Sequence, residues 1–256
     1  MAKVISIFNQ KGGVGKTTTV INLASALGMT GVFKKKVLVI DMDPQGNTSS
    51  GLGVDKNILE KNIYTSLSFG EPLQNVIIAS SSKNVSIAPA TAELTGFEIE
   101  SISRENRSFL LKELVHPVKG DYDFIFIDCP PSLGLLSLNA LCASDSVIIP
   151  IQAEYYALEG VSQLVSTINM IRESLNPKLE VEGVLLSMYD GRTNLSQDVE
   201  NEVNKYFKDK VFKTVIPRNV RLAEAPSYGE SVISYDRKSK GAIAYIQLAK
   251  ELKKNN

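Results

Sequence analysis

The chain has 256 residues, of which 43% are hydrophobic, so it can bury a substantial apolar core. Its 28 basic residues balance its 28 acidic residues, which argues against a surface uniformly suited to nucleic acid or anionic lipid. Two cysteines are too few for a disulfide framework, and no apolar run reaches about 18 residues. We therefore expect a soluble cytoplasmic protein that does not bind membranes.

The first predicted strand, residues 4–8, leads into a glycine-rich segment, residues 9–18, and then into a predicted helix, residues 17–27. Glycines let the backbone approach an anion closely, and the amino end of the helix favours negative charge. This spacing predicts a phosphate-binding loop in which Lys16 contacts the β and γ phosphates and the Thr17 hydroxyl binds Mg²⁺. Gln10 occupies the position where an ordinary loop of this kind has glycine, and Lys11 is an additional lysine beside it.

Short apolar runs and segments of helical period alternate along the rest of the chain. Runs that are apolar at every position are typical of strands covered on both faces, as in a parallel sheet. We therefore predict an α/β fold with a doubly wound, mostly parallel sheet flanked by helices, in a single domain spanning residues 1–256. The predicted strands are 37–40, 124–127, 147–149 and 184–186, and the helices are 104–115, 133–143, 158–175, 195–207 and a closing amphipathic helix, 243–254.

Three carboxylates stand at the ends of predicted strands. Asp41 and Asp43 follow the second strand two residues apart, and Asp128 ends the third apolar run. Because parallel strands deliver their carboxyl ends to one edge of the sheet, we expect these acids to meet the phosphate-binding loop. There they can hold Mg²⁺-bound water or orient an attacking water.

The segment from Lys11 to Thr17 resembles the deviant Walker A motif of the ParA/MinD class. Nearly the whole chain is similar to chromosome- or plasmid-partitioning ATPases of the ParA/Soj family. The resemblance implies a P-loop NTPase fold with ATP and Mg²⁺ as cofactors. The motif segments are 9–19, 39–53, 124–135, 150–160 and 215–227, and the implied nucleotide contacts in the loop are Lys11, Gly12, Gly13, Val14, Gly15, Lys16, Thr17 and Thr18.

The same resemblance implies an ATP-bound homodimer in which Lys11 contacts the nucleotide of the partner subunit. It implies that Asp43 activates the hydrolytic water, which makes Lys11, Lys16 and Asp43 the catalytic set. Asp41 and Asp128 would act on Mg²⁺ through water, beside Thr17. Pro217 and Asn219 match positions that border the adenine ring.

The last quarter of the chain is positively charged, with 13 basic residues against 8 acidic residues from Arg192 to Asn256, a net charge of +5. Arg192 and Arg221 align with arginines that the Soj branch uses on DNA, and Arg237, Lys238 and Lys240 add a cluster. We expect non-specific binding to double-stranded DNA, because cations on phosphates carry little sequence information. The family implies nucleoid association and a ParB/Spo0J-type centromere-binding partner.

Other functions remain open on the sequence. A MinD-like membrane-surface ATPase of cell division would use residues 243–256 on lipid, and a biosynthetic P-loop ligase or metal-cluster carrier is a third class. A nucleotide-binding scaffold without hydrolysis is disfavoured by Asp43. The run at 43–47 and the run at 217–222 favour a partitioning ATPase. His116 is expected at a helix end, and no function is predicted for residues 29–36.

Overall fold

The computed structural model describes residues 1–29, 34–154 and 157–254, with the backbone alone for residues 157–160. In these ranges seven strands form one sheet in the order β3-β4-β2-β5-β1-β6-β7. Every neighbouring pair is parallel except β3 and β4, so the prediction of a mostly parallel sheet is confirmed. The strands are β1 (Lys3–Ile7), β2 (Val37–Asp41), β3 (Ile78–Ala79), β4 (Val85–Ala88), β5 (Phe124–Asp128), β6 (Ser146–Gln152) and β7 (Glu180–Ser187).

Eleven α-helices connect or follow these strands in the described ranges. The predicted helices at 17–27, 133–143, 158–175 and 195–207 correspond to α1, α6, α7 and α8 within three residues at each end. The helices are α1 (Lys16–Met29), α2 (Asn47–Gly51), α3 (Ile63–Phe69), α4 (Leu94–Glu100), α5 (Leu110–Val115), α6 (Leu135–Ala143), α7 (Ala157–Ser174), α8 (Asn194–Phe207), α9 (Val220–Glu224), α10 (Val232–Tyr235) and α11 (Lys240–Lys254).

The sheet is apolar on both faces because successive side chains of a strand point to opposite sides. In β1, Val4 packs into the cluster that includes helices α3 to α8, whereas Ile5 packs into the cluster that includes α1 and α9 to α11. The same alternation separates Ile125 from Phe126 in β5. Two helical layers therefore enclose the sheet, and its strand ends remain free to form a site.

The sequence predicted no element between residues 42 and 103, where the structure has α2, α3, β3, β4 and α4. These elements are two to seven residues long, too short to show a period. The predicted helix at 104–115 begins only at Leu110, because turns occupy residues 101–109 and Arg104 donates to two carbonyls at the end of α3. His116 directly follows α5, as expected for a residue at a helix end.

The closing helix α11 packs against the body of the protein. Tyr245, Leu248 and Leu252 are buried in the same cluster as the apolar side chains of α1, and the hydroxyls of Tyr245 and Thr19 lie 3.2 Å apart. The apolar face of α11 is therefore already covered. Within the described ranges, no helix combines the length and apolar character that crossing a bilayer requires. Of residues 29–36, for which the sequence predicted no function, residues 30–33 lie outside the ranges that the structure describes.

Candidate functional site

Three adjacent strands bring the predicted acids to the predicted phosphate-binding loop. Strand β5 lies between β2 and β1, and in its register Asp128 pairs with Asp41 of β2 on one side and with Ile7 of β1 on the other. The loop at residues 9–15 begins two residues after Ile7. The structure therefore places Asp41, Asp128 and the loop at one edge of the sheet, as the sequence predicted for parallel strands.

The loop turns sharply into α1. Gly13 and Gly15 have φ values of 73° and 89°, in the left-handed region that favours glycine. The Ser187 hydroxyl at the end of β7 donates to the carbonyl of Val14 over 2.8 Å and braces the loop from the other side. The loop borders a cavity of ≈ 340 Å³, which is lined by Gly12, Gly13, Gly15, Lys16, Thr17, Thr18, Asp43, Gln45, Asn47, Pro131 and Met188.

The two lysines of the loop have different surroundings. Lys16 is only 7% exposed, and its ammonium donates to the Lys11 carbonyl over 2.9 Å. Burial lowers the pKa of Lys16, although the nearby Asp128, Cys129 and Asp43 oppose this shift. Lys11 itself is exposed, and its ammonium has no hydrogen bond or ion pair within the described part of the chain. Lys16 therefore points inward to the cavity, whereas Lys11 is available to another molecule.

Asp128 joins three elements. One of its oxygens accepts hydrogen bonds from the Thr17 hydroxyl at 2.8 Å and from the Thr48 hydroxyl at 2.6 Å. The other oxygen is buried and has no hydrogen-bond partner among the described residues. Burial, together with the nearby Asp41, raises the pKa of Asp128 to about 7. A buried acceptor without a partner next to a hydroxyl is the arrangement that a cation or its bound water would satisfy.

Asp41 and Asp43 have different surroundings although they are only two residues apart. Asp41 is buried and accepts from the backbone and hydroxyl of Ser49, at 2.9 and 2.7 Å, and from the backbone of Asp43. Burial raises the pKa of Asp41 to about 6, and the Ser49 hydrogen bonds oppose this shift. Asp43 is half-buried and lines the cavity that contains Lys16. Asp41 therefore anchors α2, and Asp43 faces the space for a ligand.

These residues fit Mg²⁺, which prefers oxygen ligands and usually completes its shell with water and phosphate oxygens. Thr17 and Asp128 offer oxygens at the border of the cavity, with Asp41 in register beside Asp128. Within the described ranges no group of three or more His, Cys, Asp and Glu side chains could hold a metal ion by itself. A Mg²⁺ ion at this site would therefore share its shell with a bound phosphate and water.

A second cavity, of ≈ 380 Å³, adjoins the first and shares Gly15, Thr18 and Met188 with it. Met188 has a φ of 51°, which is uncommon for a residue other than glycine, and lies at the junction. Most of the lining is apolar, which suits a flat aromatic base beside a polar phosphate site. Its other lining residues are Ser187, Ile216, Pro217, Arg218, Asn219, Val220, Leu222, Ala223 and Tyr245.

The predicted DNA-contacting residues lie in two places. Arg192, in the loop between β7 and α8, forms a two-point ion pair with Asp190 that lowers the pKa of Asp190 to about 2. Arg221 on α9 pairs with Glu224 at 2.7 Å and with Asp236 at 3.5 Å, and lies 6.0 Å from the ring centre of Tyr235.

The remaining cluster follows Asp236 directly. Arg237, Lys238 and Lys240 are exposed and form no ion pair with other described residues. The Arg221–Asp236 contact brings Arg221 next to this cluster, so these four cations belong to one region. Arg192 lies on a different loop, between β7 and α8.

Sequence reasoning missed several residues that support the site. Thr48 and Ser49 hold Asp128 and Asp41, and Ser187, Met188 and Tyr245 line or brace the cavities. Thr48 and Ser49 follow the Asp43–Asn47 run directly, so hydroxyls at the start of a short helix were a usable signal. The other three residues are distant in the chain and carry no local signal.

The comparisons with known proteins agree on one family. Residues 2–181 match a family model described as an AAA domain. The sporulation initiation inhibitor protein Soj of Bacillus subtilis is 54% identical over 255 residues, covering 100% of each chain. The chromosome partitioning protein ParA of Myxococcus xanthus is 49% identical over 100% of this chain and 89% of its own. The chromosome-partitioning ATPase Soj of Treponema pallidum is 45% identical over 98% and 97%.

Solved structures support the fold. Cobyrinic acid a,c-diamide synthase from Mycobacterium smegmatis, with bound ADP and magnesium, has a TM-score of 0.85 and 36% identity over 99% of this chain and 95% of its own. The septum site-determining protein MinD of Pyrococcus horikoshii, complexed with Mg-ADP, has a TM-score of 0.80 and 31% identity over 99% and 97%. Both are less similar in sequence than the partitioning proteins. The chain belongs to the Soj/ParA family of chromosome-partitioning ATPases.

Proposed function

We propose that the protein is a Mg²⁺-dependent ATP hydrolase that works as a DNA-partitioning switch. In this proposal an ATP-bound homodimer binds double-stranded DNA non-specifically on the nucleoid, and slow hydrolysis, stimulated by a ParB/Spo0J-type partner, releases it. The observation that carries the proposal is that Lys16, Thr17 and Asp43 line one cavity, with a more apolar cavity directly beside it.

The two cavities divide the nucleotide between them. Backbone amides of the loop and the buried ammonium of Lys16 would hold the phosphates, with help from the amino end of α1. The base would lie in the second cavity, next to Pro217 and Asn219. The Asn219 side-chain oxygen accepts from the backbone of Arg221, which leaves its amide group to donate to the base.

Thr17 would hold Mg²⁺ directly, and Asp128 and Asp41 would hold it through water. When bound, the ion supplies positive charge against the charge that develops on the phosphates. Thr17 and Thr48 keep the Asp128 carboxylate oriented for this role, because both hydroxyls donate to the same oxygen and leave the other oxygen free.

Asp43 would orient the attacking water and accept its proton, since it is the half-buried acid on the cavity wall. Phosphoryl transfer depends mostly on position and positive charge, and a carboxylate is a weak base for water. We therefore expect slow turnover by the isolated chain. Lys11, whose exposed ammonium has no partner among the described residues, would supply a further positive charge to the nucleotide of the partner subunit, so that the complete site forms only in the dimer.

The DNA surface would consist of Arg192, Arg221, Arg237, Lys238 and Lys240. Each protomer contributes the same cations, so dimerisation doubles the number of phosphate contacts and raises affinity through avidity. DNA affinity should fall steeply with salt and show no preference for a particular sequence. The covered apolar face of α11 gives no support to a MinD-like membrane function.

The test measures ATP turnover and DNA retention in parallel for four chains: the natural protein, Lys16→Ala, Asp43→Ala and Arg221→Ala. Lys16→Ala should lose nucleotide binding, and Arg221→Ala should lose DNA retention while still hydrolysing ATP. Asp43→Ala should lose at least about a hundredfold in turnover and remain on DNA with ATP. Equal DNA retention with ATP, with ADP and without nucleotide would contradict the proposed switch.

A further inference from the structure

Four large apolar side chains lie exposed around α4, near the loop that follows Asp128. Phe69, Ile99 and Ile102 are 74%, 73% and 65% exposed, and Leu133, just before α6, is 38% exposed. We call these four residues the α4 patch. Folded domains keep contiguous exposed apolar patches small unless the patches bind a partner.

Hydrogen bonds join the segments that carry the α4 patch. Arg104 donates to two carbonyls at the end of α3, which brings the turn after α4 next to Phe69. Arg107 donates to the carbonyl of Ile102 over 2.9 Å. Arg107 also lines a cavity of ≈ 360 Å³ with Leu133, between α4 and α6. These contacts place the segments that carry the four apolar side chains next to one another.

Acidic residues surround the α4 patch. Glu93, Glu98, Glu100 and Glu105 are exposed, and none of them forms an ion pair with another described residue. Arg104 and Arg107 donate to backbone carbonyls and form no ion pair with these four carboxylates. Such a rim repels DNA and anionic lipid and attracts a basic protein segment.

Glu98 connects this surface to the nucleotide site. Its carboxylate accepts from the backbone of Leu136 at 3.4 Å, in the first turn of α6, where the helix dipole favours an anion. The same carboxylate lies against Gly134, so a Cβ at that position would require the Glu98 side chain to shift. The loop between Asp128 and Gly134 contains Pro131, which lines the phosphate cavity. A cation that draws Glu98 away would therefore loosen the support of this loop.

We propose that the α4 patch is the docking surface for a basic amphipathic helix of a protein partner. An amphipathic helix presents a continuous apolar stripe that would cover Ile99 and Ile102, while its lysines or arginines meet the glutamate rim. Resting on the proposed function, we assign this helix to the ParB-type partner that stimulates hydrolysis. Binding of this helix draws Glu98 away from the backbone of Leu136 and so loosens the support of the loop after Asp128.

The binding test uses a labelled peptide of about 14 residues, or four helical turns, with leucine and lysine at helical spacing. Its fluorescence anisotropy is measured against the full chain loaded with ATP. The double variant Ile99→Ser/Ile102→Ser should bind the peptide about tenfold more weakly or worse. The matched control Ile58→Ser, an equally exposed isoleucine outside the patch, should bind it normally. A peptide with glutamate in place of lysine should not bind.

The functional test adds the intact ParB-type protein of the same organism. The double variant should keep its basal ATP turnover and DNA retention and lose the stimulation, and Glu98→Gln should also lose stimulation. Peptide affinity or stimulation equal to that of the natural chain would overturn the proposal. Loss of the ATP-dependent dimer in the double variant, seen by sedimentation without peptide, would instead assign the patch to a second copy of this chain. A natural chain without ATP turnover would refute the proposed function. The anisotropy measurement would still show whether the peptide binds at the α4 patch.

Discussion

The Thr48 hydroxyl donates a 2.6 Å hydrogen bond to the same Asp128 oxygen that accepts from Thr17. The three residues come from α2, β5 and α1, and Thr48 and Asp128 are fully buried. Because α2 directly follows the Asp43–Gly46 loop, this contact fixes the position of that loop relative to the phosphate-binding loop. The position of the proposed water-activating acid thus depends on a threonine that has no catalytic chemistry of its own.

Ser49→Ala should destabilise the protein. The Ser49 hydroxyl donates to Asp41 at 2.7 Å and accepts from the backbone of Ala90 at 3.0 Å, so its loss removes one hydrogen bond from the buried Asp41 and takes away the side-chain partner of the buried Ala90 N–H. We expect the free energy of unfolding in urea to fall by about 1–3 kcal/mol. The control is Ser50→Ala, whose hydroxyl makes no described hydrogen bond. Equal losses in the two variants would contradict this account.

Asp128→Asn should stabilise the nucleotide-free protein at neutral and higher pH. Burial raises the pKa of Asp128 to about 7 and that of Asp41 to about 6, above about 3.9 in the unfolded chain. The folded state therefore binds more protons, and this contribution to stability is complete below about pH 4 and lost as pH rises through about 7.

Thermal unfolding between about pH 5 and about pH 8 measures this effect. The melting temperature of the natural chain should fall as pH rises over that range, and that of Asp128→Asn should fall less. Asp121→Asn, on an exposed turn, serves as the control. A variant whose melting temperature falls with pH as steeply as that of the natural chain would rule out Asp128 as the cause.

Lys11→Ala should separate nucleotide binding from dimerisation. The Lys16 ammonium donates to the backbone carbonyl of Lys11, so a substitution of the Lys11 side chain leaves that hydrogen bond in place. We expect the ATP affinity to stay within about threefold of that of the natural chain, which is a change in binding free energy of well under 1.4 kcal/mol. We expect no ATP-dependent dimer in sedimentation velocity. Lys178→Ala, an exposed lysine between α7 and β7, should behave like the natural chain. A dimer that persists in Lys11→Ala would remove the proposed cross-subunit role.

Glu224→Gln should strengthen DNA retention. Glu224 holds the Arg221 guanidinium at 2.7 Å and neutralises part of its charge. Removing that carboxylate frees the arginine for DNA phosphate and steepens the salt dependence of binding by up to about one charge. Filter retention at several salt concentrations measures the change, with Glu230→Gln as an acidic control without an ion pair among the described residues. Unchanged retention would mean that Arg221 does not contact DNA.

Leu248→Ala should cost about 2–5 kcal/mol of stability, because Leu248 is fully buried where α11 meets α1. Ile243→Ala, on the exposed side of the same helix, should cost far less. Since the apolar face of α11 is covered, the natural chain should not sediment with anionic vesicles. Vesicle binding that Leu248→Ala abolishes at a temperature where the variant stays folded would favour a membrane role.

Local sequence was enough to predict some parts of the fold and of the proposed site, but not others. Apolar runs such as 124–127 are continuous because both faces of each strand are covered, so β1, β2, β5, β6 and β7 were predictable. Elements of two to seven residues, such as β3 and α4, have no measurable period and depend on their neighbours for stability. The acids Asp41 and Asp128 were recognisable because each follows an apolar run directly, and Asp43 because it stands two residues after Asp41.

The sequence by itself located the loop that we predict to bind phosphate, because glycine spacing and Lys16 are features of a few adjacent residues. It also determined the three acids and the parallel sheet. The tertiary structure alone decided that Thr48 supports Asp128, that Glu224 holds Arg221, and that Phe69 and Leu133 are exposed. These relationships depend on directions and distances between side chains of different elements, which no periodicity or local motif records. Packing of the whole chain sets them.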